Sequence, residues 1–407
     1  MRLTNLVTNT LLFGAAHVSA QDWPQWRGPN RDNKVVGFSE PKTWPKALTK
    51  KWQVIVGVGE ASPVLVGDKL YVIGRQGTDE VTLCLDAATG KEVWKEKDAA
   101  KFAARGDAGY PGPRSTPAVS DGKICTLGVN GLVICRDAAK GKELWRQDKG
   151  FPQFHTSTSP IIADGLCFVL AGALTAFDLA DGKPKWTSSS VKAGYGSPVF
   201  MTADGVKQIV TPCADALVGV DVKIGKVLWD VKIGTAWQNN YSTPIVDGNR
   251  VYYSITPAGK FGKGGAGAAS GFIALEIAKK GDAFTAKEIW KADPAAGYHT
   301  PILVDGRIYG VSSAGKSFFC LDAKAGKQLW ADKVNHGQCG SILNAGSVLL
   351  SLNADKDLIV FRPSAKAYEE VAKYRVSESE TWCVPIIAGQ RIYVKDKGGS
   401  LTLWTIE

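Results

Sequence analysis

The sequence predicts an all-β fold, an eight-bladed β-propeller of four-stranded antiparallel blades, with seven blades as the fallback. Three observations predict it. A phrase of about 40–50 residues recurs along most of the chain, and short strands at that period build a radial array of blades. Six copies open on a small residue and a proline, Ser62-Pro63, Thr116-Pro117, Ser159-Pro160, Ser197-Pro198, Thr243-Pro244 and Thr300-Pro301, and two on variants of it, Gly340-Ser341 and Val384-Pro385. Most copies close on Gly-Lys-x-x-Trp or a near variant, at Trp94, Trp145, Trp186, Trp229, Trp290 and Trp330.

The second copy shows how one phrase makes one blade. Pro117-Ala118-Val119-Ser120 reads as the inner strand, where a leading proline removes no ladder hydrogen bond. Asp121-Gly122 turns the chain into Lys123–Gly128, and Asn130-Gly131 is read as a two-residue hairpin turn into Leu132–Arg136. That turn would pair Thr126 with Cys135 and set the Cys125 and Cys135 thiols on opposite faces. Glu143-Leu144-Trp145 opens the outer strand. The repeated indoles are assigned to docking between blades, because a large ring buries much apolar area there.

The last copy, from Pro385 to Trp404, lacks an outer strand. Lys50-Lys51-Trp52-Gln53 resembles one, so the N-terminal strand is expected to close the ring and Trp52 joins the docking set. Domain boundaries follow: 1–20 as a secretory signal, 21–50 as an N-terminal segment, 51–407 as the propeller. The signal rests on Arg2, the apolar Leu11–Ala16, and the small-residue site Val18-Ser19-Ala20, with cleavage expected after Ala20.

Composition excludes several classes. The chain has 407 residues and a formal charge of +10, with lysines scattered over the repeated turns. No basic cluster with interleaved aromatics tracks nucleic acid. No apolar run reaches the ~18–20 residues of a membrane span. Eight cysteines are present. Cys84, Cys135 and Cys320 share one repeat position and read as small buried residues. Cys339 and Cys383 occupy equivalent positions in neighbouring blades and are the one pair suited to a bridge.

The repeats resemble the PQQ-like propeller repeat of the quinoprotein alcohol dehydrogenase-like superfamily, over roughly residues 51–407. The segment Asp22-Trp23-Pro24-Gln25-Trp26-Arg27-Gly28-Pro29-Asn30-Arg31-Asp32 is similar to the N-terminal signature of exported members. Two relatives bracket the function. One is the propeller lipoprotein of the outer-membrane β-barrel assembly machinery, a non-catalytic scaffold. The other is the quinone-dependent dehydrogenases, which would imply pyrroloquinoline quinone (PQQ) with Ca²⁺. That pattern includes an adjacent Cys-Cys pair, which this chain lacks, and a Glu/Asn/Asp calcium set with no match here. No cysteine near the cleavage point offers a lipid attachment.

Propeller ligands enter where the loops before the inner strands converge on the axis. Three residues before the proline position stand Glu60, Arg114, Ser157, Tyr195, Tyr241, Tyr298, Gln338 and Trp382; His155, Asn239, His336 and Glu380 stand five before. His299 lies in the same loops. From these the expected ligand site is Arg114, His155, Tyr195, Asn239, Tyr241, Tyr298, His299, His336, Gln338, Glu380 and Trp382. No catalytic residue and no metal ligand is assigned, since His155 and His336 stand four blades apart. Two loops decorate the mouth face, the glycine-rich 257–267 and the long connection from Glu96 to Arg114. The expected partner is a cell-envelope protein or a small ligand at the mouth, and the chain is read as a monomer.

Overall fold

Eight four-stranded antiparallel sheets form, one for each copy of the phrase. The computed structural model describes residues 22–100, 112–150, 156–234, 240–255, 270–337 and 339–407, which contain no helix. The signal segment and the glycine-rich loop 257–267 lie outside them. Within each of blades 1 to 7 the strands run in sequence order from axis to rim. Blade 2 is Ala118–Ser120, Lys123–Leu127, Leu132–Asp137 and Glu143–Asp148. The outer strand of blade 1 continues to Ala99, so Glu96 belongs to that strand and not to the connection after it.

Blade 8 is closed by the N-terminal strand Thr49–Ile55, which pairs with Ser400–Thr405. Trp52 lies opposite Leu403, past a register shift. The most extended buried cluster lies at this seam. It joins side chains of blades 7, 8 and 1 to Trp23, Val35 and Leu48 from the N-terminal segment.

The turn residues of the phrase have separate tasks. Asp121, Asp164, Asp204 and Asp305 take positive φ of 46–53°, each followed by a glycine at 68–74°. Both positions being left-handed is what a tight primed hairpin needs. The glycine of Gly-Lys-x-x-Trp answers a different demand: it lies against the indole of the preceding blade. A Cβ on Gly182 would stand 2.6 Å from the Trp145 ring, and one on Gly225 2.5 Å from Trp186. The same indoles donate to carbonyls of the next blade, Trp94 to Ala138 (2.9 Å), Trp145 to Leu179 (3.0 Å), Trp186 to Val222 (3.0 Å), Trp290 to Ala323 (3.1 Å) and Trp330 to Ser364 (2.8 Å). Trp229 instead turns inward and donates to Gln208 of its own blade at 2.7 Å. Gly182→Val should therefore lower stability by about 2–4 kcal/mol, through overpacking and a left-handed φ of 73°. Urea unfolding monitored by tryptophan fluorescence would measure it.

The register around Cys125 departs from expectation. Cys125 pairs directly with Cys135, so both side chains share one face. The cause is the turn: Gly128 N–H bonds Leu132 O and Gly131 N–H bonds Gly128 O, a three-residue loop where a two-residue loop was expected. All eight thiols are free. Cys339 and Cys383 form no bridge; Cys383 Sγ faces the Glu60 and Ala61 carbonyls at 3.3 and 3.4 Å.

Candidate functional site

The small residue before each proline builds the wall of the axis. Its hydroxyl accepts the backbone N–H of the equivalent residue one blade earlier. Val384 N–H reaches Ser62 (2.8 Å), Ser62 N–H Thr116 (3.1 Å), Thr116 N–H Ser159 (3.0 Å), Ser159 N–H Ser197 (3.0 Å) and Thr243 N–H Thr300 (2.8 Å). Buried N–H groups at the blade tips thereby gain partners that strand ladders cannot supply.

One end of the axis is stopped by the chain's own N-terminal segment. Trp23 exchanges backbone bonds with Leu65 of blade 1, and Pro24 O accepts Val119 N–H of blade 2. Trp26 donates to Thr243 of blade 5 at 3.1 Å. Arg27 bonds Thr300 O (3.2 Å) and Pro301 O (3.3 Å) of blade 6. Arg31 bonds Ser159 O (3.2 Å) and Pro160 O of blade 3 and Pro198 O (2.7 Å) of blade 4. Asn33 donates to Ile342 O of blade 7 at 2.8 Å. Both guanidinium groups are buried, and burial lowers Arg27 to about 10 and Arg31 to about 9. Carbonyl dipoles are their chief hydrogen-bond partners. The sequence offered no sign of this role, because the segment has no copy elsewhere in the chain.

Above the plug opens a cavity of about 410 Å³. Arg114, Tyr195, Tyr241, Tyr298, His299 and Trp382 all line it. His155, Asn239 and Gln338 lie outside the described residues. Four rings form a continuous arc: Tyr195 stacks on Tyr241 (centroids 5.4 Å), Tyr241 meets Tyr298 edge-on (4.7 Å), and Tyr298 meets Trp382 (6.1 Å). The arc spans blades 4 to 8, while Glu60 and Arg114 of blades 1 and 2 face it. The mouth therefore has an aromatic side and a charged side.

Two expected residues stand apart from the lining. His336 is buried, bonded to Asp332 at 2.5 Å and packed on Phe318 with centroids 4.1 Å apart. The ring fills a gap between blades. Glu380 sits on the rim, where it accepts from Trp382 Nε1 and from Lys397, both at 3.1 Å, and these bonds hold its carboxyl below the usual range. It steers Trp382 from outside the cavity.

The lining residues beyond the expected set include Glu60 and, from the plug, Trp26, Arg27 and Asn33. Glu60 was visible, since it holds the same offset as Arg114 and Tyr195. Both its carboxylate oxygens are buried without a partner, as is Asn33 Oδ1. Burial raises the Glu60 carboxyl to about 7, against the pull of Lys395, Arg114 and Lys397. His299 Nε2 accepts Val311 N–H at 3.0 Å, which leaves the ring proton on Nδ1. That nitrogen has no partner, and burial beside Arg27 lowers the imidazole to about 3, so it stays neutral. Cys339 also lines the cavity, but burial pushes its thiol up to about 12, far from a thiolate nucleophile.

Because the folded pKa of Glu60 is raised, its contribution to stability is fully present below about 4.5 and lost as pH rises through about 7. Glu60→Gln should thus stabilise the protein by roughly 1–3 kcal/mol at pH 8 and do little at pH 4. Chemical denaturation at the two pH values checks this.

Fold and mouth together define an eight-bladed propeller with a blind axial pocket, stopped on one side by its own N-terminus. The chain belongs to the family described as outer membrane protein assembly factor BamB, whose model matches residues 78–263 and 278–373, more than half of the chain. Similar proteins include the BamB of Burkholderia pseudomallei (strain K96243), 24% identical over 368 residues and 86% of each chain. The BamB of Moranella endobia (strain PCIT) is 25% identical over 310 residues and 71% of each. Among solved structures, BamB from Moraxella catarrhalis has a TM-score of 0.64 at 14% identity, covering 88% of this chain and 98% of that one. A europium-containing methanol dehydrogenase has 0.66 at 13%, covering 95% and 98%. At such identities the structural likeness speaks for the fold alone. No helix among the described residues is long and apolar enough to cross a membrane.

Proposed function

We propose that this protein is an exported, non-catalytic propeller that acts as a binding scaffold in the cell envelope, in outer membrane protein assembly. The observation that carries this reading is the family match over most of the propeller, joined to a pocket lined by aromatic and polar recognition groups. In this reading residues 1–20 are the export signal, and the mature chain works on the periplasmic side. The axial mouth, including Arg114, Tyr195, Tyr241, Tyr298, His299 and Trp382, is its recognition face.

The dehydrogenase alternative fits the residues less well. Calcium takes six to eight oxygen ligands at close range. Among the described lining residues the only carboxylate is Glu60, raised to about 7, and Asn33 is the only side-chain amide. The surrounding charges are the cations Arg27, Arg114 and Lys395, which oppose a second cation.

Affinity capture from an envelope fraction with the mature, tagged chain tests the scaffold reading, alongside titration with PQQ and Ca²⁺ followed by absorbance and dye-linked alcohol oxidation. Recovery of outer membrane assembly proteins without quinone binding is expected. Stoichiometric quinone binding with turnover would refute it.

A further inference from the structure

We propose that the axial mouth is a saccharide-binding site, in which the aromatic arc stacks on the apolar face of a sugar ring while Glu60, Asn33 and His299 hydrogen-bond its hydroxyls. The inference deepens the reading of the mouth as a recognition face and rests on it. The identity of the protein partner does not enter.

The ligand class follows from which polar atoms are left over. Glu60 Oε1 and Oε2 and Asn33 Oδ1 are buried acceptors without partners, and His299 Nδ1–H is a buried donor without one. Leaving such groups unpaired costs about 1–3 kcal/mol each. The three residues line the cavity although these atoms are covered, so a ligand that satisfies the set must draw them toward it, donating to two residues and accepting from the third. Hydroxyl groups do both. An aromatic acid, once ionised, brings only acceptors and leaves at least the Asn33 amide oxygen without a donor. An amine would satisfy Glu60, but Arg114, Lys395 and Lys397 already bear on that carboxylate and Arg27 shares the cavity lining. A neutral polyol avoids both conflicts.

The opposite wall selects among polyols. Tyr298 keeps 48% of its surface exposed, and the arc it joins with Tyr195, Tyr241 and Trp382 presents ring surface at several inclinations. Apolar ring faces with polar groups facing them suit a cyclic ligand with one C–H face and hydroxyls around its edge, which is a pyranose. The volume of about 410 Å³ falls within the range of small-molecule sites and accepts one or two such rings.

Isothermal titration calorimetry of the mature chain with glucose, N-acetylglucosamine, maltose and cellobiose tests the proposal, with cyclohexylamine and benzoate as the competing chemistries. The expected result is one-site binding of at least one sugar with Kd between about 10 μM and 10 mM. Tyr298→Ala and Glu60→Ala should each weaken it about tenfold or more, and Tyr298 is exposed enough that its loss leaves the melting temperature in place. Absence of sugar heat up to about 50 mM overturns the proposal. So does sugar binding that Tyr298→Ala leaves unchanged, or tighter binding of the amine or the acid than of any sugar. Envelope capture is measured on the same preparations. Capture retained without sugar binding overturns this inference alone, whereas sugar binding without capture supports it and counts against the scaffold reading.

Discussion

Deleting the residues before Val56 should abolish cooperative folding of the ring. Blade 8 borrows its outer strand from Thr49–Ile55, which pairs with Ser400–Thr405. Without it, Ser400–Thr405 becomes an open edge, a template for pairing with other chains. Trp52 goes as well; its indole packs on Gly90 of blade 1 and against Tyr393 of blade 8. The seam cluster loses Trp23, Val35 and Leu48 in the same deletion. We expect oligomers in light scattering coupled to size-exclusion chromatography, and a thermal transition that is broad or missing by near-ultraviolet circular dichroism. A monomer that melts like the parent would show that the blades hold the ring shut without the strand.

Arg31→Met should lower stability by about 3–5 kcal/mol, the largest effect we expect of a single substitution. The methionine keeps much of the volume and removes the donors. Pro198 O, Ser159 O and Pro160 O then lose their shared partner in an interior that water does not reach. Part of the loss is offset, because the charge itself is unfavourable there: burial already lowers Arg31 to about 9. The orphaned carbonyls outweigh that relief. Arg27→Met should have a smaller effect, since its bonds to Thr300 and Pro301 are longer and reach one blade only. Differential scanning calorimetry of both variants gives the comparison. A fall of roughly 4–6 °C for Arg31→Met is expected, because a chain of this length has a large unfolding entropy. Equal melting of the two would mean that the plug does not tie blades 3 and 4 together.

The proline and tryptophan phrases were legible because each reports local chemistry. Asp121-Gly122 makes a primed turn wherever it stands, and a glycine such as Gly182 must be glycine because an indole lies on it. Repetition multiplied these signals and gave the offset at which Arg114, Tyr195, Tyr241, Tyr298 and Trp382 converge. That offset also contained Glu60, whose importance became visible only when both oxygens proved to be buried and unpartnered. His336 shares the repeat offset of its neighbours yet turns away, because Asp332 and Phe318 offer it a bond and a stacking face inside the blade boundary. The Cys125 register differs from expectation because Asn130-Gly131 is only part of the turn, to which Val129 also belongs.

By itself the sequence determined the architecture: a propeller of four-stranded blades, the order of strands and the borrowed strand that closes the ring, while the eight sheets of the structure decided between eight blades and seven. Those depend on turn chemistry and periodicity, which act over a few residues and recur. Only the tertiary structure decided what fills the axis. The segment from Trp23 to Val35 occurs once, and its arginines find partners in residues more than a hundred positions away, on blades 3, 4 and 6. Bonds from side chain to distant backbone carbonyls leave no pattern in a sequence, because every residue has a carbonyl. The plug, and the floor of the pocket that it forms, could be seen only once the ring had closed around it.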